Sequence, residues 1–272
     1  MDPQRAGLPG ERLGGPVGKL AAIIFDTDGV VTRTATVHAA AWKDLFDSYL
    51  RNRAATTGTG FVEFTDDDYL RYVDGKARAD GVASFLGSRG IDLPRGTPED
   101  PPGAETVWGL GNSKNDAFTA VVRDRGVEPY DSTLALVRAL RRYGLRTAVV
   151  SASENCAAVL AAAGATGLFD VRVDGLDAAA LGLPGKPDPA LFLEASRRLG
   201  VEPAAAAVVE DALAGVEAGH RGGFGLVVGV DRGDQAEALS RHGADVVVAD
   251  LAQFKVDETG GWEVVDDTTP HV

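Results

Sequence analysis

Between Leu20 and Val248 the chain alternates short apolar runs with stretches whose apolar residues recur every three or four positions. The runs 20–25, 146–150, 169–173, 206–209, 224–229 and 245–248 have the length and β-branched content of buried strands. Between them, 132–143, 154–163, 188–199, 213–220 and 235–241 carry helical spacing. Strands that alternate with helices predict an α/β fold, a parallel sheet with helices on both faces. One interval breaks the rhythm. Thr34 can cap a helix whose apolar positions are Val37, Ala41, Trp42, Leu45, Phe46, Tyr49 and Leu50, and from Ala54 to Arg125 there are few strand signals. Short helices are expected near 66–73, 77–89 and 113–125, with a Pro/Gly-rich loop at 93–103. This interval reads as an inserted helical cap over 36–125, the α/β core being 19–35 with 126–255. Residues 1–18 hold three Pro and five Gly without apolar periodicity and read as a flexible leader; 256–272 is polar and acidic and reads as a loose tail.

Composition narrows the classes. A chain of 272 residues, 44% hydrophobic and 25% charged, has the balance of a soluble globular protein. Its net charge of −13 disfavours nucleic acid and anionic membranes as partners, while leaving room for a phosphate held by local positive charge. The single cysteine, Cys156, excludes an internal disulfide and fits a reducing compartment. No run reaches the roughly eighteen apolar residues of a membrane span, and 1–18 lacks the apolar centre of a signal peptide. A cytoplasmic monomer is expected.

In open α/β sheets, ligands bind outside the carboxyl ends of the strands, and those ends are chemically pointed here. The first strand delivers Asp26-Thr27-Asp28-Gly29, two carboxylates two residues apart on an extended segment, so both leave on one side. A calcium loop is excluded because its fifth and twelfth positions would be Val30 and Val37; an ordinary turn is the alternative that this stretch alone leaves standing. After the second strand, Ser151 and the amides of Ala152 and Ser153 lie where a helix start favours a phosphate oxygen, although Ser153 can simply cap that helix. Lys186, between Gly185 and Pro187, can neutralise a phosphoryl oxygen or be a solvated loop lysine. Glu210-Asp211 supplies hard oxygen ligands of the kind Mg²⁺ takes, or N-caps. Gly109-Leu110-Gly111 lacks the third glycine and the preceding strand of a dinucleotide site.

These four groups, in this order at successive strand ends, resemble the haloacid dehalogenase superfamily, in particular its β-phosphoglucomutase-like branch, over about residues 20–250. The resemblance implies a Rossmann-like core with an inserted cap. It implies Asp26 as the nucleophile that becomes an aspartyl phosphate and Asp28 as general acid and base. Mg²⁺ would be held by Asp26, the backbone carbonyl of Asp28, Glu210 and Asp211, and the phosphoryl oxygens by Ser151, Ala152 and Lys186. In the cap, Thr34, His38, Trp42 and Lys43 look like the family's linker and first cap helix. Gly75 and Arg78 resemble a loop gripping the far phosphate, and Lys114 resembles the cap lysine that meets the substrate; Ser153 and Asn155 would face the sugar or its far phosphate. The implied reaction converts β-glucose 1-phosphate to glucose 6-phosphate through the 1,6-bisphosphate. A sugar-phosphate phosphatase on the same core and a non-catalytic sugar-phosphate-binding module are the competing readings, the second disfavoured by the intact Asp26 and Asp28. Arg33, where the family commonly has an acid, Glu154, a negative charge beside the phosphate site, and the long 93–103 loop depart from the pattern.

Overall fold

The computed structural model describes residues 20–256 and 262–264. The leader and most of the acidic tail expected above lie outside them. Six parallel strands form the central sheet in the order β3-β2-β1-β4-β5-β6: β1 Ala22–Asp26, β2 Arg146–Val150, β3 Val171–Val173, β4 Ala206–Glu210, β5 Leu226–Val230 and β6 Val246–Val248. β1 is unbroken in its apolarity because both faces are covered. Ile23 and Phe25 pack on one side with Leu134, Val137 and Leu140 of α5 (Asp131–Arg142). Ala22 and Ile24 pack on the other with Leu191, Phe192 and Ala195 of α8 (Ala190–Leu199) and Val216 of α9 (Leu213–Arg221). Chain order reverses between β1 and β4, the switch point at which such sheets open a crevice. Parallel registry sets Asp26 beside Val150 and Phe25 beside Val209, so the ends of β2, β1 and β4 emerge side by side.

Between β1 and β2 the chain builds a separate helical layer: α1 (Ala35–Thr57), α2 (Asp66–Asp68) running into a π-helical turn Tyr69–Val73, α3 (Arg78–Ser88) and α4 (Val107–Arg125). It has its own apolar cluster around Phe46, Phe64 and Phe85, whose ring centroids lie 4.3–5.0 Å apart. α4 starts six residues before the expected 113. Thr106 caps it by accepting a hydrogen bond from the Gly109 amide (2.9 Å), and Gly109 and Gly111, read above only against a dinucleotide site, serve close packing. A Cβ at Gly111 would sit 2.9 Å from Cγ of Arg78. The 93–103 loop is tied to this helix start: Asn112 donates to the carbonyls of Pro98 and Asp100, and Thr106 to Asp100 (2.6 Å).

Two further differences have local causes. Residues 175–181, where no element is expected from the sequence, form α7 (Gly175–Leu181), started by a reciprocal cap between Asp174 and Asp177. α6 spans Cys156–Ala162 rather than 154–163. Ser151 and Ser153 each accept a bond from the amide two residues on (3.1 Å in both cases), and these side-chain turns postpone the helix. The stretch expected to be a loose tail contributes strand: β7 (Phe254–Val256) pairs antiparallel with β8 (Trp262–Val264), anchored by Phe254 in the core. α10 (Ala236–Arg241) completes the core helices. Among the described residues, no helix is long and apolar enough to cross a membrane.

Candidate active site

A cavity of about 510 Å³ separates the helical layer from the carboxyl ends of β1, β2 and β4. At its floor lies Asp26, buried, with each carboxylate oxygen engaged: Oδ1 accepts from Nζ of Lys186 (2.5 Å) and Oδ2 from the Asp28 amide (2.9 Å). Lys186 is buried too, and its ammonium also reaches Oε1 of Glu210. Burial opposes its charge, but the two carboxylates overcome that and hold it protonated. The other oxygen of Glu210 accepts from the amides of Asp211 and Ala212 (2.9 Å each), which turns the chain sharply after β4. Both oxygens of Glu210 are thus committed to protein partners.

Asp211 faces Asp26 across the turn made by Gly29. That glycine has φ +85, and a Cβ there would collide with the Asp211 carboxylate, so only glycine allows β1 and β4 to end this close together. Carboxylate oxygens of Asp26, Glu210 and Asp211 can all lie within 4.8 Å of one another. Burial, and then the charge of Glu210, push Asp26 well above the usual carboxylate range against the pull of Lys186; burial, and then the charges of Asp74 and Glu210, do the same to Asp211. Negative charge therefore exceeds positive charge at this spot. A small divalent cation is the natural complement to such a set of hard oxygens, and the residues fit Mg²⁺.

Asp28 points elsewhere. Its Oδ1 accepts from Thr34 Oγ1 and lies 3.4 Å from Nε2 of His38; its Oδ2 accepts from Ser151 Oγ (3.3 Å). Burial works against its charge, but His38 and Thr34 prevail and hold the carboxyl at about 2. His38 lies flat on Phe118 (centroids 3.9 Å apart), and its Nδ1 meets the ammonium nitrogen of Lys114. Burial, and then the positive Lys114, press the His38 pKa down. Lys114 is buried over the rings of Trp42 and Phe118, and loss of water brings its ammonium down to about 7.

At the far end of the cavity, Arg78 donates from Nη2 to Oε2 of Glu154 (3.1 Å), and Asn155 donates to Asn115 (2.7 Å). Gly75, φ +71, lets the cap loop rest on α9: its Cβ would stand 3.0 Å from that of Ala212.

The structure gathers Asp26, Asp28, His38, Trp42, Gly75, Arg78, Lys114, Ala152, Ser153, Asn155, Lys186 and Asp211 around one cavity, with Thr34, Ser151 and Glu210 bonded directly behind it. Lys43 does not join them; it reaches Glu63 and the Phe64 carbonyl on the outer side of α1. Trp42 is chiefly a core residue, stacked on Phe46 with centroids 5.2 Å apart. The amide of Ser153 is spent on Ser151, and α6 begins beyond it, so no helix start lies at residue 154. Arg33 packs over Tyr130 (4.3 Å) and does not line the cavity. Cys156 is buried against Thr27 (3.4 Å), with its thiol pushed up to about 12 by burial, and is inert. Tyr69 and Asp74 are among the lining residues that went unnoticed in the sequence. Burial raises Asp74 to about 6 and Tyr69 well above its usual range. The one available signal was Asp74's place directly before Gly75.

Residues 20–223 match the family model for haloacid dehalogenase-like hydrolases. A β-phosphoglucomutase of Mycobacterium bovis is 51% identical over 240 residues, covering 87% of this chain and 92% of the relative. A trehalose-phosphate phosphatase of Mycobacterium leprae is 41% identical over 141 residues, covering 50% of this chain and 30% of that protein. Among solved structures, the β-phosphoglucomutase of Clostridium difficile superposes with a TM-score of 0.67 at 25% identity, covering 87% of this chain and 93% of that one. With the parallel sheet, the paired aspartates of β1 and the lysine and acids that meet them, these likenesses show that the chain belongs to the haloacid dehalogenase-like hydrolase family.

Proposed function

We propose that the protein is a β-phosphoglucomutase, moving a phosphoryl group between C1 and C6 of β-glucose through an aspartyl phosphate and a 1,6-bisphosphate. The observation that carries the reading is a cavity with cationic groups at both ends: Lys186 beside Asp26 at the floor and Arg78, with Lys114, on the cap side. A mutase must hold a bisphosphate with either end at the nucleophile, whereas a phosphatase needs one phosphate site only. The β-phosphoglucomutase name and near-complete coverage of the mycobacterial relative support the same choice.

In this reading Asp26 attacks phosphorus, the bond from phosphorus to the bisphosphate's leaving oxygen breaks, and Asp28 supplies the proton that oxygen gains. In the return step Asp28 accepts the proton of the incoming sugar hydroxyl. Held at about 2 by His38 and Thr34, Asp28 is a carboxylate in the arrangement described, set for the return step. Asp26, Asp211 and the backbone of Asp28 would hold Mg²⁺, which offsets charge on nucleophile and phosphoryl group; Glu210 positions Lys186 and the β4 turn. Ser151, Ala152 and Lys186 would receive the transferred oxygens. The helical layer is the cap, its closure keeping water from the aspartyl phosphate.

Replacing Asp26 with Asn tests the nucleophile. Transfer should be lost, and the mass increase of one phosphoryl group seen on the wild-type chain after brief exposure to the bisphosphate should be absent. Near-normal turnover by Asp26→Asn would end the assignment. A sugar-phosphate phosphatase is the second reading, favoured by the half-chain likeness to the M. leprae enzyme.

A further inference from the structure

Glu154 is the feature that the proposed mechanism leaves without a task. It stands in the turn after β2, whose backbone is held against the start of α7: the Gly175 amide donates to the Ser153 carbonyl (3.1 Å), and a Cβ on Gly175 would come within 2.8 Å of the Glu154 amide nitrogen. Its carboxylate therefore projects from a fixed base into the cavity. Opposite, Arg78 begins α3, with its stem pressed by Gly111 of α4 and its guanidinium 5.6 Å from the Trp108 ring. Arg78 reaches across the cavity to Glu154 at 3.1 Å, and its Nε is buried with no hydrogen-bond partner among the described residues. Arginine takes a phosphate oxyanion through paired N–H donors, and Nη2, one of the donors that Arg78 brings to the cavity, is already bound to the carboxylate. The carboxylate thus occupies part of the phosphate's place.

We infer that Glu154 is a built-in competitor for the distal phosphate, setting the selectivity of the Arg78 end of the cavity. The inference rests on the mutase reading, since it concerns the second phosphate site of that reading. A distal phosphate must displace Glu154 from Arg78 and then sit beside its negative charge. Like charges brought together in this way lower affinity without touching the reacting centre. A distal hydroxyl suffers no such penalty, because it can donate to the carboxylate. The site therefore holds the bisphosphate more loosely than Arg78 alone would. Loose holding has a use: a mutase intermediate must leave or turn round before its other phosphate can meet Asp26.

The test is calorimetric titration of the full chain with Mg²⁺, in an Asp26→Asn background that halts transfer, using β-glucose 1,6-bisphosphate and β-glucose 1-phosphate as probes. Glu154→Gln and Glu154→Ala are each made with Arg78 intact and with Arg78→Ala. The partly exposed pair is worth little in itself, so the expected gain is moderate: bisphosphate binding tightened about three- to tenfold by either substitution. The monophosphate affinity should change less, and the gain should vanish once Arg78 is gone. Unchanged or weaker bisphosphate binding in both Glu154 variants would overturn the inference, as would a gain that persists without Arg78. If the bisphosphate binds no more tightly than the monophosphate even with Glu154 replaced, and Arg78→Ala changes nothing, the second phosphate site itself is absent and the mutase reading falls with it.

Discussion

Lys114→Met isolates the electrostatic tension built into the cap. Lys114 is 5% exposed, lies on two aromatic rings, and meets His38 rather than a carboxylate. Burial is the main reason its pKa falls from the usual 10.5 to about 7; Arg78 adds to the fall and Asp28 opposes it. The unfolded chain takes up this proton near pH 10.5, the folded chain only near 7. Stability is thus lost progressively as pH falls from about 10.5 to about 7, and the penalty is constant below that. Three and a half pH units at about 1.4 kcal/mol each put the penalty on the order of 5 kcal/mol. Methionine fills similar space without the charge and forfeits one hydrogen bond to His38, about 1 kcal/mol. Lys114→Met should therefore be more stable than the parent at pH 6–7 by a few kcal/mol, roughly 5–10 °C in Tm for a chain of this size. The advantage should shrink steadily toward pH 10. Urea and thermal unfolding of both proteins across pH 6–10 measure this. An equal difference at every pH, or a less stable variant at pH 6, would refute the account of Lys114 as a strained, desolvated cation. Turnover should fall although stability rises, because Lys114 lines the cavity in which the proposed reaction takes place.

Other perturbations act on the floor of the cavity. Lys186→Met leaves Asp26 and Glu210 buried without their counter-charge and should cost about 3–5 kcal/mol at neutral pH by urea unfolding, with less loss at acid pH as Asp26, already raised by burial, takes up a proton. Gly29→Ala forces a Cβ into Asp211 at a positive φ; it should lower stability by about 1–3 kcal/mol and weaken Mg²⁺ binding, read by Tm with and without the metal. Mg²⁺ at about a hundred times its Kd should add about 2.7 kcal/mol of stability to the wild type, and chelation should remove it. Asp211→Asn should shrink that metal-dependent gain while raising the metal-free Tm, since it relieves repulsion among Asp26, Asp74 and Asp211.

The sheet was legible because a strand buried on both faces must be apolar along its buried length, as β5 is, as β1 and β4 are up to their terminal acids, and as β2 is from Ala148 to Val150. Three of the four groups could be found for a related reason: parallel registry obliges the residues after β1, β2 and β4 to share one rim, while Lys186 reaches it from the loop between α7 and α8. Helix starts were less legible. At α4, Gly111, with its poor helix propensity, is required by the approach of Arg78, a contact between elements that no local pattern announces, and Gly109 by the closeness of Ala104. At α6, two serines capture backbone amides and delay the helix, and at α7 a cap made by Asp174 outweighed the blandness of the alanines. Asp74 was missed because its chemistry comes from burial opposite Asp211, and burial of a loop carboxylate is decided by how the cap rests on α9. The partnership of Arg78 with Glu154, 76 positions apart, likewise exists only in three dimensions.

The proposal that a sugar hydroxyl, rather than water, receives the phosphoryl group from Asp26 is tested most directly by one assay. The protein is given Mg²⁺, β-glucose 1-phosphate and a trace of β-glucose 1,6-bisphosphate, and glucose 6-phosphate and free phosphate are followed in parallel. Glucose 6-phosphate should accumulate far ahead of free phosphate, and should not form with Asp26→Asn. Free phosphate released without glucose 6-phosphate would contradict the mutase and leave a phosphatase built on the same floor.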